Sequence, residues 1–117
     1  MKIKGIESEI PFAERVYRAV ECIPKGMVST YGAVAAMAGS PNASRAVGNI
    51  LHKNPYFGKV PCHRVVHADG RLADAFVFGG AGVQQQMLSD EGVPVKDGKV
   101  ISMKKHYFFD PDIAKQW

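Results

Sequence analysis

Proline and glycine break this chain at Pro24-Lys25-Gly26, Gly39-Ser40-Pro41 and Asn54-Pro55, and any helix between those points is held to a few turns. Ahead of the first break, Phe12, Val16, Val20 and Ile23 recur at helical spacing. An amphipathic helix is expected from Ile10 to Ile23, with Pro11 tolerated in its first turn. After that break, Ser29 or Thr30 can cap a helix running from Tyr31 to Met37. A third helix is expected over Ala43 to Lys53, starting near Asn42 or Ser44. Two short helices joined by a tight glycine-containing turn describe a helix-turn-helix, and equally a helix pair packed in a core. Ala43, Ser44, Ala46 and Gly48 are small, so the third helix could bring its backbone close to another surface, with Arg45 projecting from the same segment.

The 117 residues suit one domain, 1–117, with its core at about 10–103, and leave no room for a second. No apolar stretch approaches bilayer length, and Met1 to Ile6 is too short and interrupted for a signal peptide, so a soluble, cytoplasmic protein without membrane contact is expected. Cys22 and Cys62 stand far apart and are expected as free thiols. His52, His63, His67 and His106 form no recognised metal spacing with them, and no metal is expected.

The net charge of +4 is unevenly spread. From Lys25 to Arg71 there are six basic residues (Lys25, Arg45, Lys53, Lys59, Arg64, Arg71) against one acid, Asp69, which leaves the remainder at −1. A polyanion such as nucleic acid would favour that asymmetry, and so would an ordinary solvated surface.

Downstream of Asn54-Pro55 a loop leads to Val60-Pro61-Cys62-His63-Arg64-Val65-Val66, which sets a thiol beside an imidazole and a guanidinium inside an apolar run. A thiol becomes a good nucleophile when a neighbouring base or cation favours the thiolate, and His63 and Arg64 could each do that. Adjacent strand residues point to opposite faces, so Cys62 and His63 can cooperate only across a turn or through a water; Pro61 favours the turn. A small buried hydrophobe followed by two solvated polar residues fits the same letters. A turn at His67-Ala68-Asp69-Gly70 follows, then the apolar Phe76-Val77-Phe78-Gly79-Gly80. A helix over Val83 to Asp90 closes on Gly92, and a hairpin over Val93 to Met103 turns at Asp97-Gly98. The aromatic and charged tail through Trp117 suggests no particular structure.

These residues together resemble the alkylguanine-DNA alkyltransferases, which move an alkyl group from 6-O-alkylguanine onto their own cysteine. Pro61-Cys62-His63-Arg64-Val65 is similar to that family's active-site signature, and Asn54-Pro55 stands where its turn-ordering asparagine does. Arg45 within Ser44-Arg45-Ala46-Val47-Gly48 resembles the arginine finger that fills the gap left by a flipped base. Tyr31 is similar to the tyrosine that crowds the target phosphate, and Glu91 to the acid that polarises the histidine. The resemblance covers roughly residues 12 to 93.

That resemblance implies a mainly α fold with short β elements: a single winged-helix-like domain containing the helix-turn-helix. It implies Cys62, His63, Glu91, Asn54 and Tyr31 as catalytic residues, and Arg45, Tyr31, Ala43, Ser44 and Arg64 as DNA contacts. Val65, Phe76, Val77 and Phe78 would form the substrate pocket. The implied activity is DNA repair: minor-groove binding, rotation of the alkylated guanine out of the stack, and irreversible transfer to Cys62. A thioether is stable, so the protein would act once and without a cofactor. The expected partner is duplex DNA carrying alkylated guanine, with the protein a monomer. Two departures stand out. The chain resembles an isolated catalytic and DNA-binding domain without the ribonuclease-like domain of full-length members. In addition, Ala73-Asp74-Ala75-Phe76-Val77-Phe78-Gly79-Gly80 replaces the usual Gly-Asn-Tyr-Ser-Gly-Gly. A changed loop is typical of the short alkyltransferase-like members, which bind the lesion without transfer and recruit excision-repair proteins. A helix-turn-helix regulator without lesion preference is the third reading.

Overall fold

The computed structural model describes residues 10–56, 58–73, 76 and 78–117. Helix α1 spans Phe12–Glu21, two residues inside the expected limits at each end, because Pro11 sets the first turn and the backbone leaves helical geometry before Pro24. It buries Val16, Ala19 and Val20.

Strand β1 (Ser29–Thr30) leads directly into α2 (Tyr31–Met37), and the Thr30 hydroxyl accepts from the Ala33 N–H at 3.1 Å. The sequence-based limits of α2 match at both ends. Its C-terminus closes on Gly39 at φ +92°, which lets the Ser40 N–H reach the Ala35 carbonyl at 2.9 Å and the Gly39 N–H reach Ala36 at 3.0 Å. Helix α3 (Ser44–His52) packs on α2 and completes the helix-turn-helix. It begins and ends one residue inside the expected span, leaving Ala43 as the flanking residue with no side-chain cap.

A single 3-10 turn, Cys62–Arg64, precedes β2 (Val65–Val66). Strand β2 pairs parallel with β1 in the register Ser29 to Val65 and Thr30 to Val66, which sets the start of α2 beside the Cys62 turn. Helix α4 (Ala81–Asp90) follows, then the hairpin β3 (Val95–Lys96) and β4 (Lys99–Val100) about Asp97-Gly98, as expected. The fold is thus mainly α with short strands.

The tail, for which the sequence suggested no structure, is built into the core. Helix α5 (Met103–His106) leads to a bridge between Val28 and Tyr107, closed by the Val28 N–H to His106 carbonyl bond at 2.8 Å and the Phe108 N–H to Val28 carbonyl bond at 2.7 Å. A 3-10 segment, Pro111–Gln116, buries Ile113 in the cluster formed by α1, α2 and α3. The Trp117 indole N–H then reaches the Met37 carbonyl at 3.0 Å, while Arg15 Nε reaches the Ala38 carbonyl at 2.8 Å. Both satisfy C-terminal carbonyls of α2 that the helix itself leaves open. Ile113→Ala should therefore lower unfolding free energy by about 2 to 4 kcal/mol in a urea titration, as for a core isoleucine.

Candidate functional site

Helices α2 and α3, the Cys62 turn and the segment after Gly70 enclose a cleft of about 620 Å3, lined by Tyr31, Ser44, Arg45, Gly48, Leu51, His52, Cys62, His67, Ala73 and Phe76. Residues 44, 45, 48 and 52 of α3 turn toward this cleft, whereas Val47 enters the core and Leu51 lies at the boundary, in the core cluster and in the cleft lining. The two readings of the helix pair are therefore both true, each on its own face. Arg45 and Ser44 are exposed at the rim. Tyr31 is half-buried, its ring tilted against His67 at 5.2 Å.

Cys62 is buried, 6% exposed, and burial raises its thiol above the ordinary value of 9.0, against a hydrogen bond from Asn54 that lowers it. Arg64, which could have favoured the thiolate by its charge, is engaged elsewhere, and His63 is engaged at one ring nitrogen. His63 Nε2 lies 2.9 Å from Glu91 Oε2. Arg64 grips the same carboxylate with both prongs of its fork, Nε to Oε1 at 2.9 Å and Nη2 to Oε2 at 2.7 Å, and donates from Nη1 to the Ile23 carbonyl at 2.8 Å. Arg64 was expected at the DNA face; its side chain is 15% exposed and serves instead as an internal brace.

Glu91 is placed by backbone geometry. It caps the end of α4, where Gly92 takes φ +84° and the Val93 N–H returns to the Leu88 carbonyl at 2.9 Å. Burial alone would raise its carboxyl, but the bonds from Arg64 and His63 prevail and hold it at about 2. Burial also lowers His63 below 6.5, with help from the charge of Arg64 and against the pull of Glu91, so the imidazole is neutral at neutral pH.

Asn54 is buried at the foot of the loop before the turn. Its Nδ2 donates to the Val60 carbonyl at 3.3 Å and its Oδ1 accepts from the Tyr56 N–H at 2.8 Å, which orders the approach to Cys62. Of the expected pocket residues, Phe76 lines the cleft. Phe78 meets Phe76 edge-on at 5.9 Å, half-buried against the core, and Val77 lies outside the described residues. Val65 is corrected: at 1% exposed its side chain is core, because β2 runs beneath the cleft rather than along it. Ala43, expected to touch DNA, is half-buried against the same core. His67 and Gln84 were missed. His67 read only as part of a turn, and Gln84 is one of three consecutive glutamines. Among the described residues, no cluster of three or more His, Cys, Asp or Glu could hold a metal, and no helix is long and apolar enough to cross a membrane.

With this geometry in place, comparison with known proteins is decisive. Residues 11–93 match the family described as the 6-O-methylguanine DNA methyltransferase, DNA binding domain. The chain belongs to that family. It is 39% identical over 103 residues to the DNA base-flipping protein of Escherichia coli K12, covering 86% of this chain and 77% of that one. To the methylated-DNA–protein-cysteine methyltransferase of Mycolicibacterium paratuberculosis it is 43% identical over 77 residues, 66% of this chain and 45% of the other. Among solved structures, S. pombe Atl1 in complex with damaged DNA containing O6-carboxymethylguanine superposes with a TM-score of 0.76 at 29% identity, covering 94% of this chain and all of Atl1. Mycobacterium tuberculosis OGT in complex with DNA gives 0.66 at 38% identity over 73% of this chain and 51% of OGT. The chain thus spans about half the length of these two methyltransferases.

Within the methyltransferase DNA-binding domain, the Glu91 cluster has a pH signature. A carboxyl held at about 2 against an ordinary 4.5 favours the folded chain fully above pH 4.5, and that contribution fades as pH falls toward 2. Glu91→Gln should cost about 2 to 3 kcal/mol at pH 7 by leaving Arg64 without its carboxylate. Its stability curve between pH 4.5 and 2 should also be flatter than that of the unaltered protein, read by denaturant titration at each pH.

Proposed function

We propose that this chain binds duplex DNA carrying 6-O-alkylguanine, rotates the damaged nucleotide into the cleft and transfers the alkyl group to Cys62. The observation that carries the reading is the position of the Cys62 thiol in the wall of a cleft of about 620 Å3, with the next residue, His63, held at Nε2 by Glu91.

A guanine inside a duplex cannot present its 6-oxygen to a buried thiol, so the nucleotide must leave the stack at a cost of a few kcal/mol, least for a damaged base. Helix α3, with small residues on its exposed side, would lie in the minor groove with Arg45 filling the gap. With Arg64 set aside as neutralised by Glu91, the middle segment still has five basic residues against Asp69, which supports the phosphate contacts, and binding would weaken with salt.

In the cleft, His63 takes the Cys62 proton through a water, and Glu91 stabilises the imidazolium that results. The sulfur forms a bond to the alkyl carbon as the carbon–oxygen bond breaks, and the electron pair passes to the purine. Tyr31 donates a hydrogen bond to the purine as that charge develops. The product is a thioether, so each molecule acts once.

A second reading, lesion binding without transfer, is favoured by the raised thiol and by the likeness to Atl1 along 94% of the chain. In that case the bound complex would be the signal that excision-repair proteins act on. Intact-mass measurement after incubation with a duplex containing 6-O-methylguanine separates the two. One methyl group gained, mapped to Cys62 and absent in Cys62→Ala, is the expected result; tight lesion binding with no gain would establish the second reading. Arg45→Ala should weaken binding to the lesion duplex about tenfold in a fluorescence titration, the worth of one charged contact, while leaving the thermal midpoint unchanged.

A further inference from the structure

Helix α4 meets the Cys62 turn at two levels. At its end, Glu91 holds the side chains of His63 and Arg64. Two helical turns earlier on the same face, Gln84 holds the main chain. Its side chain is fully buried, whereas Gln85 and Gln86 are exposed and Gln86 pairs with Asp90 on the surface. Gln84 Nε2 donates to the His63 carbonyl at 3.1 Å and to the Val65 carbonyl at 3.2 Å. Its Oε1 accepts from the Ala73 N–H at 2.9 Å.

The opposite orientation of the amide would set an oxygen against two carbonyl oxygens and an NH2 against an N–H, so the partners themselves fix which end is which. The two ends reach different parts of the site. The donor end holds the backbone on the far side of the turn from Cys62. The acceptor end holds Ala73, which lines the cleft and begins the segment leading to Phe76.

We propose that Gln84 is a positioning residue that fixes the cysteine turn and the cleft wall at Ala73 in one frame, its donor end governing transfer and its acceptor end governing grip on the lesion. This rests on the function proposed above. Displacing a reacting atom by about 1 Å costs on the order of a hundredfold in rate, so a turn that lost the two main-chain bonds from Gln84, with only its own turn bonds and the β1 pairing left to hold the backbone, would give up part of the chemistry. The cleft wall makes contact before the chemical step, and its looseness is felt in affinity.

Two substitutions separate the ends. Gln84→Glu keeps an acceptor for Ala73 and, once ionised, removes the donors to His63 and Val65, so it is compared with the parent at alkaline pH, where burial no longer keeps the carboxyl protonated. Gln84→Lys keeps donors and removes the acceptor. On duplexes with and without 6-O-methylguanine, Gln84→Glu should slow single-turnover methyl transfer at saturating DNA by about tenfold or more, with lesion affinity changed less than about threefold. Gln84→Lys should do the reverse.

Peptide-mapped alkylation of Cys62 by iodoacetamide gives a readout independent of DNA. Release of the turn should speed it about tenfold in Gln84→Glu and leave Gln84→Lys near the parent rate. If both variants lose affinity and transfer in proportion to a fall in thermal midpoint, or if neither departs from the parent, the assignment is overturned. If the parent protein neither transfers nor prefers the lesion, the proposed function fails instead. The alkylation rates then decide on the positioning role alone: a Glu-only acceleration upholds it, and equal rates overturn it.

Discussion

The carboxylate of Glu91 is the point on which the other elements depend. It accepts from His63 and from both prongs of Arg64, and the Gly26 N–H approaches it at 3.5 Å. Arg64 also holds the Ile23 carbonyl, two residues past the end of α1. One side chain therefore joins the end of α4, the cysteine turn and the loop after α1. Each group would be costly to bury alone, and together they leave no charge uncompensated. The carboxylate can do this because the left-handed Gly92 ends α4 sharply at Glu91 and turns the chain back over Leu88.

That arrangement reorders the electrostatics around Cys62. A guanidinium next in line but one from a thiol looks like an activator; here its charge is spent on Glu91, and it also helps keep His63 neutral. Burial then holds the thiol above its ordinary value. On the function proposed above, His63 and Cys62 would then act as a base and an acid that exchange a proton through a water during the reaction, not as a preformed ion pair. On the proposed reading, sulfur would acquire charge only as the alkyl carbon approaches, which suits a nucleophile that is consumed by its one reaction.

Local signals in the sequence carried far where they were backbone signals. The Thr30 cap and the Gly39 stop defined α2, Asp97-Gly98 defined the hairpin, and Gly92 defined the end of α4, because each acts within a few residues through its own φ preference or hydrogen bond. The motif at Cys62 and its resemblance led to the right family and to a cleft holding Tyr31, Arg45, Cys62 and Phe76 together. What stayed hidden was long-range. Trp117 meets Met37 from 80 residues away in sequence, Arg64 turns inward to Glu91, and Gln84 differs from its two glutamine neighbours only in the face of α4 it occupies. The one sequence clue to Gln84 was its spacing of seven from Glu91, which places both on the same side of a helix.

The composition of α3 follows from serving two surfaces within nine residues. Val47 and Leu51, four apart, anchor it to the core, and the adjoining side, with Leu51 at the boundary, faces the cleft. On that side Gly48 lies under the Tyr31 ring, where an added Cβ would sit 3.9 Å from the aromatic carbons and fill space between helix and ring. Small residues there keep the cleft open, and Arg45, the long one, stands at the rim where it does not occupy it. A helix anchored by two apolar side chains gains little stability from propensity at this length, so its position is set by the core beneath it. Packing of Val47 and Leu51 is thereby a determinant of where Arg45 stands, and the width of the cleft is coupled to the hydrophobic core, which shares Leu51, Cys62 and Phe76 with the cleft lining.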